Sequence, residues 1–336
     1  MFLLKELFKC FTTTTKTKIG FILPDIPLPY NKAMASTRLR VYDIINLFIN
    51  DNNFFLEIYK PWKKYDVVIF QKKFDKKALL LAKKLKSVNS KIILDINVNY
   101  YDKSFLDEKL LYQHDDILNF TKISDAILTT TSYIQQYAQK IFPQKKIFVI
   151  PEIITDNFFS TTKKTEHQPL RLLYTGYALK AKEILHIREE LLKLHTQHSF
   201  EILFICEKNP HIKINNIKIS FVKYNQQIIP EQLREGDIFI APRDISNPYN
   251  LGHSFTKIGY PMSIGLPIIA SAVPSYLNSP ALICQNKDDW EKNLKKILTN
   301  KQLRINLKKK GIQHCKDNIS KIPIKSKYLK FLNSLS

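Results

Sequence analysis

Short apolar runs alternate with amphipathic stretches along most of this chain. Lys18-Ile19-Gly20-Phe21-Ile22-Leu23-Pro24 reads as a first strand stopped by proline. Residues 36–48 follow as a helix, capped by Ser36 or Thr37, with Ile44, Ile45 and Phe48 on its apolar face. Residues 54–59, 65–71 and 91–95 read as buried strands, with a helix over 76–86 between the last two. Helical patterns over 105–120 and 131–141 bracket a strand at 124–130, and residues 146–151 give another strand. Strands this short and this uniformly apolar have no wet face, so the alternation predicts a parallel sheet covered by helices on both sides.

The pattern then breaks. Residues 157–168 are polar, include Ser160-Thr161-Thr162-Lys163-Lys164-Thr165, and carry no period, as a linker would. A second alternation begins at Leu170, with strands at 170–177, 200–206, 236–242, 266–270 and 281–284, and an irregular strand or strand pair over 212–222. Helices are expected at 181–194, near 288–298 and near 302–314. The fold class is therefore α/β, as two Rossmann-like domains facing a cleft: 1–156, a linker at 157–168, and 169–318. The tail, 319–336, reads as a further helix.

The stretch from Gly252 to Tyr276 carries the most local chemistry. A polar loop runs into a short helical pattern that stops at Gly265, and a helix N-terminus leaves backbone N–H groups free for an anion. Ser254, Thr256 and Lys257 fall at that end. An ordinary helix–strand unit with a hydroxyl cap and a surface lysine would look the same.

Composition narrows the field. The 336 residues are 44% hydrophobic, enough for two cores, and no run approaches the roughly 18 apolar residues of a membrane span. Met1 to Lys9 is too short and interrupted for a cleavable signal peptide, and could form a short amphipathic turn. Cys10, Cys206, Cys284 and Cys315 are scattered without metal-ligand spacing, which fits a reducing cytosol. The net charge of +22 suits phosphorylated substrates, anionic lipid or nucleic acid, although Lys-, Ile- and Asn-rich usage alone would also produce it. Arginine, the residue suited to base reading, is sparse and unclustered, so no nucleic-acid partner is expected. There is no HExxH, GxSxG, GxxxxGK[ST] or dinucleotide fingerprint, so metalloprotease, serine hydrolase, P-loop and dehydrogenase chemistry find no support.

On these residues the chain resembles glycosyltransferases of the two-domain GT-B architecture, especially the family 4-like enzymes of bacterial surface-polysaccharide assembly. Their K-x-x-E-x-x-x-x-G-x-P-x-x-A-S run is met by Lys257, Gly265, Pro267, Ala270 and Ser271, and a common continuation, VPxY, by Val273, Pro274 and Tyr276. Ser36, Arg38 and Arg40 match an SxRxR variant, and residues 124–151 are similar to the run that closes the first domain, with Glu152 where asparagine is usual. The DxxDN element is met only at Asp95, and the two glutamates eight apart fall on Gly252 and Tyr260.

The resemblance implies a nucleotide-sugar donor on the second domain, as substrate rather than cofactor, and no metal. Lys257, Ser254 or Thr256, and Lys180 would meet the leaving diphosphate beside Gly176, where Tyr177 takes the slot of the family's arginine. His253 would contact the sugar or move a proton, Tyr260 would replace the ribose-binding acid, and Ser271, Asp244 and Asn250 would shape the donor pocket. Ser36, Arg38, Arg40 and Asp95 would face the cleft from the acceptor side, with Arg38 and Arg40 as an anion-binding pair. The resemblance further implies a glycan or lipid-linked acceptor, retention of configuration, a tail that crosses back to the first domain, and a cytoplasmic enzyme held at the inner membrane face by its basic surface. The missing acids leave open a catalytically silent nucleotide-sugar or partner-binding subunit of the same fold, and a phosphate-activated donor or epimerase chemistry is a third reading.

Overall fold

The computed structural model describes residues 16–105, 111–159 and 165–335. The amphipathic turn at the start, the first residues of the 105–120 helix and residues 160–164 of the linker lie outside them.

The described residues form two six-stranded sheets. The first contains β1 (Thr17–Ile22), β2 (Phe54–Ile58), β3 (Val67–Gln71), β4 (Lys91–Ile96), β5 (Ala126–Thr129) and β6 (Lys146–Val149), in the order β2-β1-β3-β4-β5-β6. The second contains β7 (Leu170–Gly176), β8 (Phe200–Cys206), β9 (Ile219–Lys223), β10 (Ile238–Ala241), β11 (Ile268–Ser271) and β12 (Leu282–Cys284), in the order β12-β11-β10-β7-β8-β9. Every pairing is parallel. All five residues of β3 and all four of β5 and β10 are buried, as strands covered on both faces must be.

Local capping chemistry sets several helix starts. Asp75 accepts from the Ala78 N–H at 2.9 Å to open Lys76–Ser87, and Thr131 Oγ1 accepts from the Ile134 N–H at 3.3 Å to open Ser132–Ile141. The first helix departs from the expected cap. It begins at Ala35 with no side-chain cap, and the Thr37 hydroxyl turns inward to Gln71 Oε1 at 3.3 Å. A π-helical turn, Arg38–Tyr42, then buries Leu39, Arg40 and Val41 in succession, which an undisturbed 3.6-residue period would not do.

Of the two readings left open for residues 212–222, the single strand holds, as β9 at Ile219–Lys223. One other expectation is corrected. The helix expected over 181–194 is broken into Ala178–Ala181, a 3-10 stretch at Lys182–Ile187, and Arg188–His195.

The chain passes between the sheets at two places that pack together. Going out, Ile154 and Phe158 join the core of the second sheet, and the Ile154 N–H donates to the Ile319 carbonyl at 2.9 Å. Coming back, the final helix, Lys321–Asn333, presents Ile324, Tyr328, Phe331 and Leu332 at i, i+4, i+7 and i+8. These side chains lie in one apolar cluster with Ile19, Phe21 and Ile93 of the first sheet and with Val41 and Ile150 beside it.

Candidate functional site

In parallel α/β sheets the backbone groups beyond the carboxyl ends of the strands are free to meet a ligand. At that end of the second sheet, β7, β10 and β11 are neighbours, ending at Gly176, Ala241 and Ser271. The helix Thr256–Ser263 packs against β10 and β11. It stops because Gly265 adopts φ +91°, where a Cβ would lie 2.8 Å from Lys308 Cε.

Lys257, in the first turn of this helix, points back at β7. Its Nζ donates to the Thr175 carbonyl and lies 4.0 Å from the centre of the Tyr174 ring. Gly176, with φ +150°, makes room for it, since a Cβ there would come 2.9 Å from Lys257 Nζ. Burial, reinforced by the nearby Arg243 charge, pushes the Lys257 ammonium well below its usual pKa.

The loop after β10 builds the rest of this wall. The Arg243 N–H donates to Ser271 Oγ at 2.8 Å, so Ser271 fixes the start of the loop. The Arg243 guanidinium pairs with Glu183 at 2.7 Å, and Asn250 Nδ2 reaches Glu183 at 3.1 Å and the Asp244 carbonyl at 2.9 Å. The Asp244 carboxylate itself accepts from the Ser246 N–H and hydroxyl at 3.0 and 2.6 Å, closing a turn. His253 meets the Tyr249 ring edge-to-face at 5.2 Å. Burial, then the Arg243, Lys257 and Lys180 charges, push its imidazole well below its usual pKa, so it is neutral at pH 7. Lys180 Nζ stands 4.7 Å over the Tyr249 ring, and the two residues line a pocket of about 430 Å³ with Ser104, Asn247 and Pro248.

Four buried polar atoms in this wall have no hydrogen-bond partner among the described residues: Tyr174 Oη, Arg243 Nε, Asn250 Oδ1 and His253 Nε2. Cations set in a poorly hydrated wall, with orphaned donors and acceptors among them, can stabilise negative charge on a bound group far better than they would in water.

Ser254 and Thr256 are engaged otherwise than expected. The Glu152 carboxylate, 5% exposed, accepts from Ser254 Oγ and, at 2.5 Å, from Thr256 Oγ1. A carboxylate from the outgoing crossover thus occupies the two hydroxyls expected to meet a bound anion. Tyr260 packs its ring on Phe158 with centroids 4.3 Å apart. Burial, then Asp43 and Glu152, push its phenol well above the usual range, so it is a neutral hydroxyl.

The first domain gives a larger correction. Arg40 and Asp95 are 1% and 0% exposed and form a buried ion pair. Arg40 Nε lies 2.8 and 2.9 Å from the two Asp95 oxygens, and Nη1 donates to the Ile150 carbonyl at 2.9 Å. Neither residue is exposed to a ligand. Burial pushes the Asp95 carboxyl up against the pull of Arg40. Arg38 does not complete an anion-binding pair either: it donates to the Ala33 carbonyl at 2.6 Å and lies 6.0 Å from the Tyr30 ring centre. Ser36 is half-buried in the first turn of its helix.

Sequence reasoning missed Glu152 as a contact, Arg243, Glu183 and Asp43. Asp43 is 6% exposed, accepts from Tyr30 Oη at 3.0 Å, and leaves Oδ2 without a partner among the described residues. Burial pushes its carboxyl up to about 6. Among the described residues no three His, Cys, Asp or Glu side chains group as metal ligands would, and no helix is long and apolar enough to cross a membrane.

Two facing parallel six-stranded sheets, with the last helix returned to the first, make the GT-B fold of glycosyltransferases. Solved structures carry this likeness at low identity. Anabaena HepE in complex with UDP and glucose is similar over 95% of this chain and 100% of its own, with TM-score 0.66 and 10% identity. A point mutant of S. aureus TarM, in complex with Fondaparinux, alpha-GlcNAc-glycerol and UDP, matches 80% of this chain and 55% of its own, with TM-score 0.60 and 13% identity. The alpha,alpha-trehalose-phosphate synthase (UDP-forming) of Burkholderia xenovorans, in complex with glucose-6-phosphate, matches 81% and 73%, with TM-score 0.55 and 12% identity. No known protein family and no curated protein matches the sequence.

Proposed function

We propose that the chain is a glycosyltransferase that takes a sugar from a nucleotide-diphosphate donor held against the second sheet. The observation that carries this reading is Lys257, a half-buried ammonium aimed at Gly176 in a GT-B fold. Arg243, Lys180 and the orphaned His253 Nε2 lie in the same wall. Transfer leaves a nucleoside diphosphate, and these groups supply positive charge and donors where the leaving group gathers its charge. His253, neutral and unpartnered at Nε2, is fitted to hydrogen-bond a sugar hydroxyl or take up a proton from one. Ser271, Asp244 and Asn250 hold the loop that positions these groups. The fold neighbours crystallised with UDP support a uridine nucleotide as the first donor to try.

The finer reading is a family 4-like, metal-independent enzyme adding sugar to a glycan or lipid-linked acceptor during surface-polysaccharide synthesis. The +22 charge supports a station at an anionic membrane face. One observation favours the alternative, a silent binding subunit: Tyr260, in the slot of the family's glutamate, is packed on Phe158.

Calorimetry of the purified protein against UDP-, GDP-, CMP- and TDP-sugars tests the proposal. One nucleotide class should bind, and Lys257→Met should weaken it by about ten- to a hundredfold, the loss of one charge-assisted contact. Failure of every nucleotide to bind folded protein overturns the donor reading. Binding without turnover across acceptors favours the silent subunit.

A further inference from the structure

A cavity of about 610 Å³ lies at the other end of the first sheet, away from the cleft. Lys91 opens β4, Asp125 stands just ahead of β5, and Lys145 and Lys146 lead into β6. The register therefore gathers all four at the amino ends of three neighbouring strands. The turn after the Ser132–Ile141 helix, closed by the Lys145 N–H on the Phe142 carbonyl at 3.0 Å, adds Phe142 and Pro143 to the lining. Ser334 and Leu335, at the end of the helix returned from the second sheet, complete it.

The charge in this cavity is unbalanced. Its one acid, Asp125, is engaged on both oxygens, by Lys86 Nζ at 2.8 Å and by the Ile92 N–H at 2.7 Å. Among the described residues Lys91, Lys145 and Lys146 make no ion pair. Only carbonyls meet two of them. Lys145 Nζ donates to the Ser124 and Lys122 carbonyls at 2.7 and 3.3 Å, and Lys146 Nζ to the Ser334 carbonyl at 3.4 Å. Burial, then the Lys86 charge, pull the Lys145 ammonium below its usual pKa despite Asp125.

Three ammoniums with no acid of their own draw an anion, and lysines, as point charges, suit a phosphate. The volume is far more than a bare phosphate fills and falls in the range of small-molecule pockets. Beside the ammoniums, Ile141, 41% exposed, and the half-buried Phe142 and Leu335 offer apolar surface.

We propose that this cavity is a second ligand site, separate from the cleft, which takes a phosphate monoester carrying an apolar group. The inference does not depend on the transfer reading.

Saturation-transfer NMR on the full chain tests it, with hexyl phosphate as the probe and inorganic phosphate as its competitor. Hexyl phosphate should bind about tenfold more tightly than inorganic phosphate, the worth of about two buried methylenes. Lys91→Gln with Lys146→Gln should weaken it by about tenfold. Both lysines are exposed, so the variant should fold as the parent does, which circular dichroism checks. Pelleting with phosphatidylcholine vesicles, with and without phosphatidylglycerol, separates the two sources of such a ligand. Retention on the anionic vesicles that the double variant loses makes it a lipid headgroup; hexyl phosphate binding without such retention makes it a soluble ester. No saturable binding of hexyl phosphate, unchanged affinity in the double variant, or inorganic phosphate binding as tightly would each overturn the proposal.

Discussion

Asp95→Asn removes one charge from a pair enclosed by three elements: the π-helical turn at Arg38–Tyr42, the end of β4, and Ile150 just after β6. The substitution is nearly isosteric, so packing is kept and the Arg40 guanidinium stays where it is. It then lies 1% exposed without a counter-charge. Breaking a buried pair on one side destabilises by about 3–5 kcal/mol. The surviving bonds to Ile150 and to the new amide oxygen place the expectation at the lower end, about 3 kcal/mol. Replacing both partners, as Arg40→Met with Asp95→Leu, removes the charges together and should recover most of that loss.

The two tryptophans allow the effect to be located. Trp290 is 4% exposed in the core of the second sheet, whereas Trp62 is 79% exposed, so buried-tryptophan fluorescence follows the second domain. Urea unfolding followed by far-UV circular dichroism follows both. With a urea slope of about 2–3 kcal/mol/M, the loss should move the first-domain transition down by about 1–1.5 M. The Trp290 transition should move much less, and the double variant should match the parent in the nucleotide calorimetry proposed above. If Asp95→Asn leaves both transitions in place, or if the double variant folds but loses the nucleotide, then the pair belongs to a ligand site and the burial argument is wrong.

Asp43→Asn tests the opposite sign of linkage. Its carboxyl is raised from 3.8 to about 6 in the folded protein, so the native state binds the extra proton and stability falls as pH rises through that window. The variant should gain about 2–3 kcal/mol at pH 7.5 and nothing at pH 3.5. Equal melting temperatures of the two proteins at pH 7.5 would remove that argument. Glu152→Ala takes away the carboxylate shared by Ser254 and Thr256 and should lower stability by about 2–3 kcal/mol. The radius of gyration from small-angle scattering should rise as the domains part, and an unchanged radius with an unchanged melting temperature would show that the contact does not hold the seam.

The alternation of apolar runs made the two sheets legible, because strands buried on both faces need continuous apolar sequence. Gly265 was legible for a similar reason: a helix stop in the left-handed region is a backbone demand, stated by one residue. What could not be read was which distant side chain would answer a local need. Ser36-x-Arg38-x-Arg40 resembles a cleft-facing anion-binding run, yet a π turn shifts the register and sends Arg40 inward to a partner 55 positions away. The start of the Thr256–Ser263 helix reads as an anion site, and its hydroxyls are taken by the carboxylate of Glu152, 104 positions from Thr256. That exchange changes what the site can do. Under the proposed function, with those two hydroxyls engaged by Glu152, the groups left to meet a donor diphosphate are Lys257, Arg243 and Lys180, on the Gly176 side.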